Sequence, residues 1–288
     1  MKILVIGSSG MLGHMVTLYL INMGYDVINI SKSRKVNEKT ILVDVLDNKS
    51  LNMILNYDFD YIINCAAILV KKSEENKTNA IMLNSYFPHK LAELLKNTKT
   101  RIIQVSSDGV FSGLNAPYDE DSLTDSNTFY GKTKILGELI DDKNLTIRTS
   151  IVGPDLYDGV GLFNWFVNQN AVVNGYKNTL FNAVTTLEFA KFIEVIIRNP
   201  ISGVYHLCSN QTMSKADFIS MVKEEFNLKN ITINKIENNF TDNSLKSNRE
   251  DIDYIQKSYF CMIKELKQYM INNKEIYRNY KFLRSLNV

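Results

Sequence analysis

The opening of the chain restricts its fold more than any other stretch. Ile3 to Ile6 is a fully apolar run, as a parallel strand covered on both faces requires. Gly7-Ser8-Ser9-Gly10-Met11-Leu12-Gly13 follows at once. From Met11 to Met23, the residues Leu12, Met15, Val16, Tyr19 and Leu20 repeat at helical spacing, and Gly24 supplies a C-terminal cap. Tyr25 to Ile30 reads as a second strand. Strand, glycine turn, helix, strand is the βαβ unit of a Rossmann-type, doubly wound parallel α/β sheet. Glycines let the backbone approach a pyrophosphate, and the helix start offers free N–H groups and a positive dipole end. Gly7, Gly10, Met11, Leu12 and Gly13 are therefore expected to cradle a dinucleotide, because the turn lies where that mechanism needs it.

The second strand runs into Ser31-Lys32-Ser33-Arg34-Lys35. A dinucleotide without a 2′-phosphate usually meets an acidic residue here, and none is present. Ser31, Lys32 and Arg34 instead suit the 2′-phosphate of NADP through charge-assisted hydrogen bonds, with NAD as the alternative. Further short strands are expected at 41–43, 61–63, 101–105 and 145–147. The fourth ends in Cys65-Ala66-Ala67, small residues that leave ligand room at the carboxyl edge of an open sheet. A long helix is expected from about Thr78 to Lys96. The fifth strand ends in Ser106-Ser107-Asp108-Gly109, where a serine could donate a hydrogen bond to a carbonyl oxygen or simply cap a turn.

Helical spacing from Ser126 to Leu139 carries Tyr130 and Lys134 on one face. A nearby ammonium favours the phenolate, so the pair is a candidate acid/base with the lysine as activator. Tyr-x-x-x-Lys also occurs as Tyr86 with Lys90 and Tyr277 with Lys281. The first of these contains Pro88 and the second lies in a short basic end, so the choice falls on Tyr130.

After Pro154 the strand–helix alternation stops. Residues 1–150 are expected to form the nucleotide-binding domain and 151–272 mainly a smaller substrate lobe, with part of 176–200 returning to the first domain. Residues 273–288, basic and aromatic, read as a surface arm. Trp165 either lines the substrate cleft or belongs to the core. The chain of 288 residues is 45% hydrophobic with a net charge of +2, which gives no reason to expect nucleic acid or a membrane as partner. Its three cysteines and three histidines have no disulfide or metal-ligand spacing. No secretory or membrane-spanning segment is read, so a cytoplasmic location is the default expectation.

Taken together, Gly7-x-x-Gly10-x-x-Gly13, Asp44-Val45 and Tyr130-x-x-x-Lys134 resemble the motifs of the extended short-chain dehydrogenases/reductases. Ser106-Ser107-Asp108-Gly109-Val110-Phe111-Ser112-Gly113 is similar to a segment of the dTDP-4-dehydrorhamnose reductases within that family, as are Arg148-Thr149-Ser150 and Gly203-Val204-Tyr205-His206-Leu207. The resemblance implies Tyr130 as proton donor, Lys134 as its partner and a holder of the nicotinamide ribose, and Ser107 at the catalytic Ser/Thr position. It implies Asp44 and Val45 at the adenine, Asn84 as a supporting residue, and Ser107, Asp108, Tyr130 and Trp165 toward a nucleotide-sugar substrate. The implied activity is NADPH-dependent reduction of a nucleotide-activated 4-keto-6-deoxy sugar for surface polysaccharide synthesis. Gly109, Ile151 and Asn182-Ala183-Val184-Thr185-Thr186 depart from the pattern and leave the sugar open. An NAD-retaining epimerase and a catalytically idle nucleotide-binding subunit are the alternatives. A homodimer is left open.

Overall fold

The computed structural model describes residues 1–255 and 257–284. In chain order, the first half comprises β1 (Lys2–Ile6), α1 (Met11–Asn22), β2 (Asp26–Ser31), β3 (Thr40–Leu42), α2 (Asn48–Leu55), β4 (Tyr61–Asn64), α3 (Val70–Glu75), α4 (Lys77–Ala80), a π-helical turn (Ile81–Tyr86), α5 (Phe87–Leu95), β5 (Arg101–Val105), a 3₁₀ turn (Asp108–Val110), α6 (Phe129–Ile135) and β6 (Leu145–Thr149). The second half adds β7 (Ile151–Val152), α7 (Gly161–Val167), β8 (Val172–Tyr176), β9 (Thr179–Phe181), β10 (Val184–Thr185), α8 (Thr186–Arg198), β11 (Gly203–Leu207), β12 (Met213–Ser214), α9 (Lys215–Glu225), β13 (Thr232–Ile236), β14 (Thr241–Asp242), α10 (Tyr259–Asn272) and α11 (Lys281–Arg284).

Seven parallel strands form the central sheet in the order β11-β6-β5-β4-β1-β2-β3. The order reverses at β1 and β4, which opens a crevice at their carboxyl ends, the place where doubly wound sheets bind ligands. Alternation sends the side chains of one strand to opposite faces. Ile3 and Val5 enter the core shared with α1 and α8, and Leu4 and Ile6 enter the core shared with α2 and α5. Both faces are covered, which explains why these strands are apolar throughout rather than alternating.

Three differences from the sequence reading have local causes. The long helix expected from Thr78 is broken into α4, a π turn and α5. The π turn places Asn84 inward, where its side chain bridges two other segments. The helix carrying Tyr130 starts only at Phe129, because Thr128 caps it through a hydrogen bond from Gly131 N. It stops before Gly137, where a Cβ would lie 1.8 Å from the Asn84 carbonyl. Finally, the returning segment is 186–207: α8 packs on α1, and β11 pairs with β6 at the edge of the main sheet.

The reading of 273–288 as a surface arm is corrected for its described residues. Tyr277 is fully buried, and Tyr280, Phe282 and Leu283 join the same core as α1 and α8. Aromatic rings at these positions contribute large apolar areas, and that outweighs the basic residues between them, which stay at the surface. No helix among the described residues is long and apolar enough to cross a membrane.

Candidate active site

The glycine turn is built by close approach. Gly7 has φ +77°, and a Cβ on it would lie 2.7 Å from Ala66 N. A Cβ on Gly13 would lie 2.2 Å from the Gly7 carbonyl, so this glycine seats α1 tightly on the turn. Ser8 anchors the turn to β2 through its N–H and hydroxyl, both donating to Ile30 O. The N-cap of α1 is Gly10, with no side-chain cap, which leaves its first N–H groups to a ligand.

A cleft of about 300 Å³ opens beside this turn. Gly7, Gly10, Ser31, Lys32, Asp44, Val45, Cys65, Ala66 and Ala67 line it, as do Ser9, Asn79 and Leu83, which sequence reading missed. Ser9 sits inside the turn and needed no glycine to mark it. Asn79 and Leu83 reach the cleft only because the helix after β4 changes pitch. Met11, Leu12, Gly13 and Arg34 are not in this wall. Leu12 is core, and Met11 turns its sulfur toward Asn164 and Gly161. The uncapped helix start and the collision-limited turn fit a pyrophosphate, and the polar edge at Ser31, Lys32 and Asp44 fits a ribose.

Both cations expected at the 2′-phosphate have protein partners. Lys32 Nζ lies 2.9 Å from the Asp44 carboxylate, and its hydrogen bond holds that carboxyl below its usual range. Arg34 donates to Asp158 at 2.6 Å and stacks over the Tyr157 ring at 4.9 Å. Lys32 thus remains at the cleft, while Arg34 is drawn away to the loop before α7.

The second half of the site lies at the end of β5. Ser107 accepts a hydrogen bond from Gly109 N (3.0 Å) and donates to Asp108 Oδ1 (3.0 Å). The Tyr130 phenol, half-buried, also meets the Ser107 hydroxyl. Lys134 is 2% exposed and donates to the Val105 carbonyl at 2.7 Å. The spacing argument about charge is corrected here. Burial pushes the Tyr130 phenol up to about 12, and the Ser107 hydrogen bond opposes that only in part. Burial likewise pulls the Lys134 ammonium down to about 8. The lysine gives its hydrogen bond to the end of β5, and burial, not the charge of the neighbour, sets the direction of both shifts. Burial also raises the Asp108 carboxyl, which lies between Ser107 and Ser150.

Asn84 does not face the cleft as a ligand. Its amide accepts from Ile68 N (2.8 Å) and donates to Ile68 O and to Thr133 Oγ1. It therefore fixes the loop after Ala67 against the helix that carries Tyr130 and Lys134. The other two Tyr-x-x-x-Lys pairs are elsewhere. Tyr86 is exposed under Lys90, and Tyr277 bonds His14 in the core. Trp165 is 43% exposed, which removes the core reading. Sequence reading also gave no role to a buried network behind Ser107, formed by Ser106, Glu138, Arg148, His206 and Glu120. Its signal was an arginine in the strand Leu-Thr-Ile-Arg-Thr, next to the last position of Leu145–Thr149.

The family profile described as RmlD substrate binding domain matches residues 1–249. A dTDP-4-keto-6-deoxy-D-glucose reductase of Streptomyces niveus is 26% identical over 218 residues, covering 70% of this chain and 71% of that protein. Methionine adenosyltransferase 2 subunit beta of Xenopus laevis is 26% identical over 245 residues, covering 79% and 72%. The structure of a dTDP-4-dehydrorhamnose reductase of Bacillus anthracis in complex with NADP superposes with a TM-score of 0.79 over 93% of this chain and 99% of that one, at 17% identity, a likeness of fold. With its seven-stranded parallel sheet and a profile match over most of its length, the chain belongs to the RmlD substrate binding domain family, of the extended short-chain dehydrogenase/reductase fold.

Proposed function

We propose that the protein is an NADPH-dependent reductase acting on the 4-keto group of a nucleotide-activated 4-keto-6-deoxy sugar. The observation that carries this reading is the Ser107–Tyr130 contact at the end of β5, with a phenol that holds its proton at neutral pH. A reductase needs an acid at the oxygen where negative charge develops, and a phenol that holds its proton is one. The cofactor, when bound, supplies the hydride to C4. Gly7, Gly10 and the start of α1 would hold its pyrophosphate, Asp44 and Val45 its adenosine, and Lys32 a 2′-phosphate. Tyr130 delivers its proton to the sugar O4, and Ser107 donates a hydrogen bond to the same oxygen. The buried Lys134 holds its charge near the carboxyl end of β5, where it orients the ribose and favours return of a proton to Tyr130. The NADP preference is supported by Lys32 and by the Bacillus anthracis complex. The substrate class is supported by the Streptomyces relative. Residues from 151 onward that lie outside the main sheet supply the sugar-nucleotide lobe, with Trp165 and Asp108 on the substrate side.

A second reading, a nucleotide-binding subunit without turnover, is favoured by the likeness to methionine adenosyltransferase 2 subunit beta. The test is an assay of NADPH oxidation across a panel of nucleotide-linked 4-keto-6-deoxy sugars. Turnover with at least one of them is expected. Cofactor binding without turnover across the panel would favour the subunit reading.

A further inference from the structure

One carboxylate ties the residue before Ser107 to β6. Glu138 is 6% exposed and lies four residues after Lys134, in the segment that follows α6. Its Oε1 accepts from Ser106 Oγ at 2.7 Å and from Arg148 Nε at 2.9 Å, and its Oε2 accepts from Arg148 Nη2 at 2.7 Å. Ser106 directly precedes Ser107, and its N–H donates to Ile147 O at 2.7 Å, next to Arg148 on β6. The end of β5, the segment after α6 and β6 therefore meet on this one side chain. We propose that Glu138 is a positioning residue for the reaction, fixing the Ser106–Ser107 step and supplying the negative charge that faces the Lys134 ammonium.

A purely structural role explains this arrangement less well. A buried ion pair often gives no net stability over apolar residues of the same volume. Here Arg148 bonds the carboxylate at 2.7 Å, and the same charge opposes the burial that lowers Lys134, four residues earlier in the chain. The other groups facing Lys134 carry no compensating charge. Val105 offers a carbonyl, and the Cys65 thiol at the end of β4 is held neutral because burial pushes it up to about 12. Tyr130, on the same helix, is a neutral phenol. On the far side, Arg148 meets His206 Nε2 at 3.3 Å and the Phe111 ring at 5.4 Å, while Glu120 accepts from His206 N. These contacts fix Arg148, and through it the Glu138 carboxylate, against β11.

The proposal rests on the reductase reading, so one readout does not use catalysis. Glu138→Gln combined with Arg148→Met removes both charges while keeping an acceptor for Ser106. In cofactor-free protein labelled with ¹³C at lysine Cε, the Lys134 resonance, assigned with Lys134→Arg, should titrate near 8 in the parent. In the double variant its midpoint should fall by about one pH unit, because the Glu138 charge is what raises Lys134 and Arg148 does not shift it. Ser106→Ala keeps both charges and tests the other link. Its kcat should fall about 10-fold, as for the loss of one alignment worth a tenfold rate factor, with KM values little changed. An unmoved Lys134 midpoint in the folded double variant, or parental kcat in Ser106→Ala, overturns the proposal. Should the double variant fail to fold, Ser106→Ala alone decides. If the parent turns over no sugar, the reductase reading fails while the titration still decides the charge assignment.

Discussion

Tyr130 sits near the start of α6 and meets the Ser107 hydroxyl. Helical spacing is enough to place it on one face with Lys134. Its protonation state depends on burial by segments far away in sequence, so the spacing argument gave the wrong sign for its shift. The structure makes it a phenol that stays protonated at neutral pH, which suits proton donation. Tyr130→Phe should lower kcat about 100-fold or more, the usual share of general acid catalysis, and leave cofactor affinity near the parental value. Tyr86→Phe should change neither, because Tyr86 is exposed and lies under Lys90. Steady-state kinetics of the two variants checks this, and a dead Tyr86 variant with an active Tyr130 variant would contradict it. His14 offers a pH prediction at the same scale. Gly10 O can only accept, so His14 Nδ1 donates to it and Nε2 accepts from the Tyr277 hydroxyl. Burial holds the folded imidazole down at about 4, below the 6.5 of an exposed one. Above pH 6.5 both states are neutral and the fold loses nothing. As pH falls from 6.5 toward 4 only the unfolded chain takes the proton, so stability drops by about 1.4 kcal/mol per pH unit, about 3 kcal/mol in all. His14→Gln should flatten that slope in urea titrations across this window. An equally steep slope in the variant would contradict the assignment.

At the scale of elements, the parts legible in sequence were those whose constraint is local. Gly7 and Gly13 must be glycine because backbone atoms lie where their Cβ would be. Cys65, Ala66 and Ala67 end a strand, and the end of a strand can be read from its apolar run. Helix α8, Thr186–Arg198, follows from its own apolar periodicity and from Thr185, whose side chain accepts from Glu188 N to cap it. What was not legible depends on partners distant in the chain. The π turn at Ile81–Tyr86 has no periodic signature, and its consequence, Asn84 bridging Ile68 and Thr133, depends on a partner 49 residues further along the chain. Lys32 and Arg34 looked equivalent, but the latter pairs with Asp158, 124 residues away. The two cations should therefore behave differently. Lys32→Ala should raise the KM for NADPH about 10-fold, the loss of a charge-assisted contact, and leave that for NADH nearly unchanged. Arg34→Ala should change it much less. Equal losses in both variants, or a loss shared by NADH, would contradict the assignment of the 2′-phosphate edge to Lys32.

For the whole molecule, the lobes share one core. Phe163, Phe166 and Phe226 of the second half belong to the same buried cluster as Ile3 and Val5 of the sheet. The C-terminal segment completes it. Tyr280 donates to the Asp155 carbonyl, and Tyr277 packs edge-on against His14 beneath the glycine turn. The basic character of this segment hid the spacing of Tyr277, Tyr280 and Phe282, which is legible only once their shared pocket is known. Tyr277→Ala should cost about 3 kcal/mol or more, as for other large aromatic truncations in a core, and calorimetry should show it as a lowered Tm. A Tm unchanged from the parent would return the segment to the surface. The central claim concerns where the hydride goes. The direct measurement uses NADPH deuterated at the nicotinamide C4 with a nucleotide-linked 4-keto-6-deoxy sugar, followed by mass spectrometry and NMR of the sugar product. The account predicts one deuterium at sugar C4 for each NADPH consumed. Interconversion of sugars by protein carrying retained NAD, with no NADPH consumed and no deuterium at C4, would contradict it.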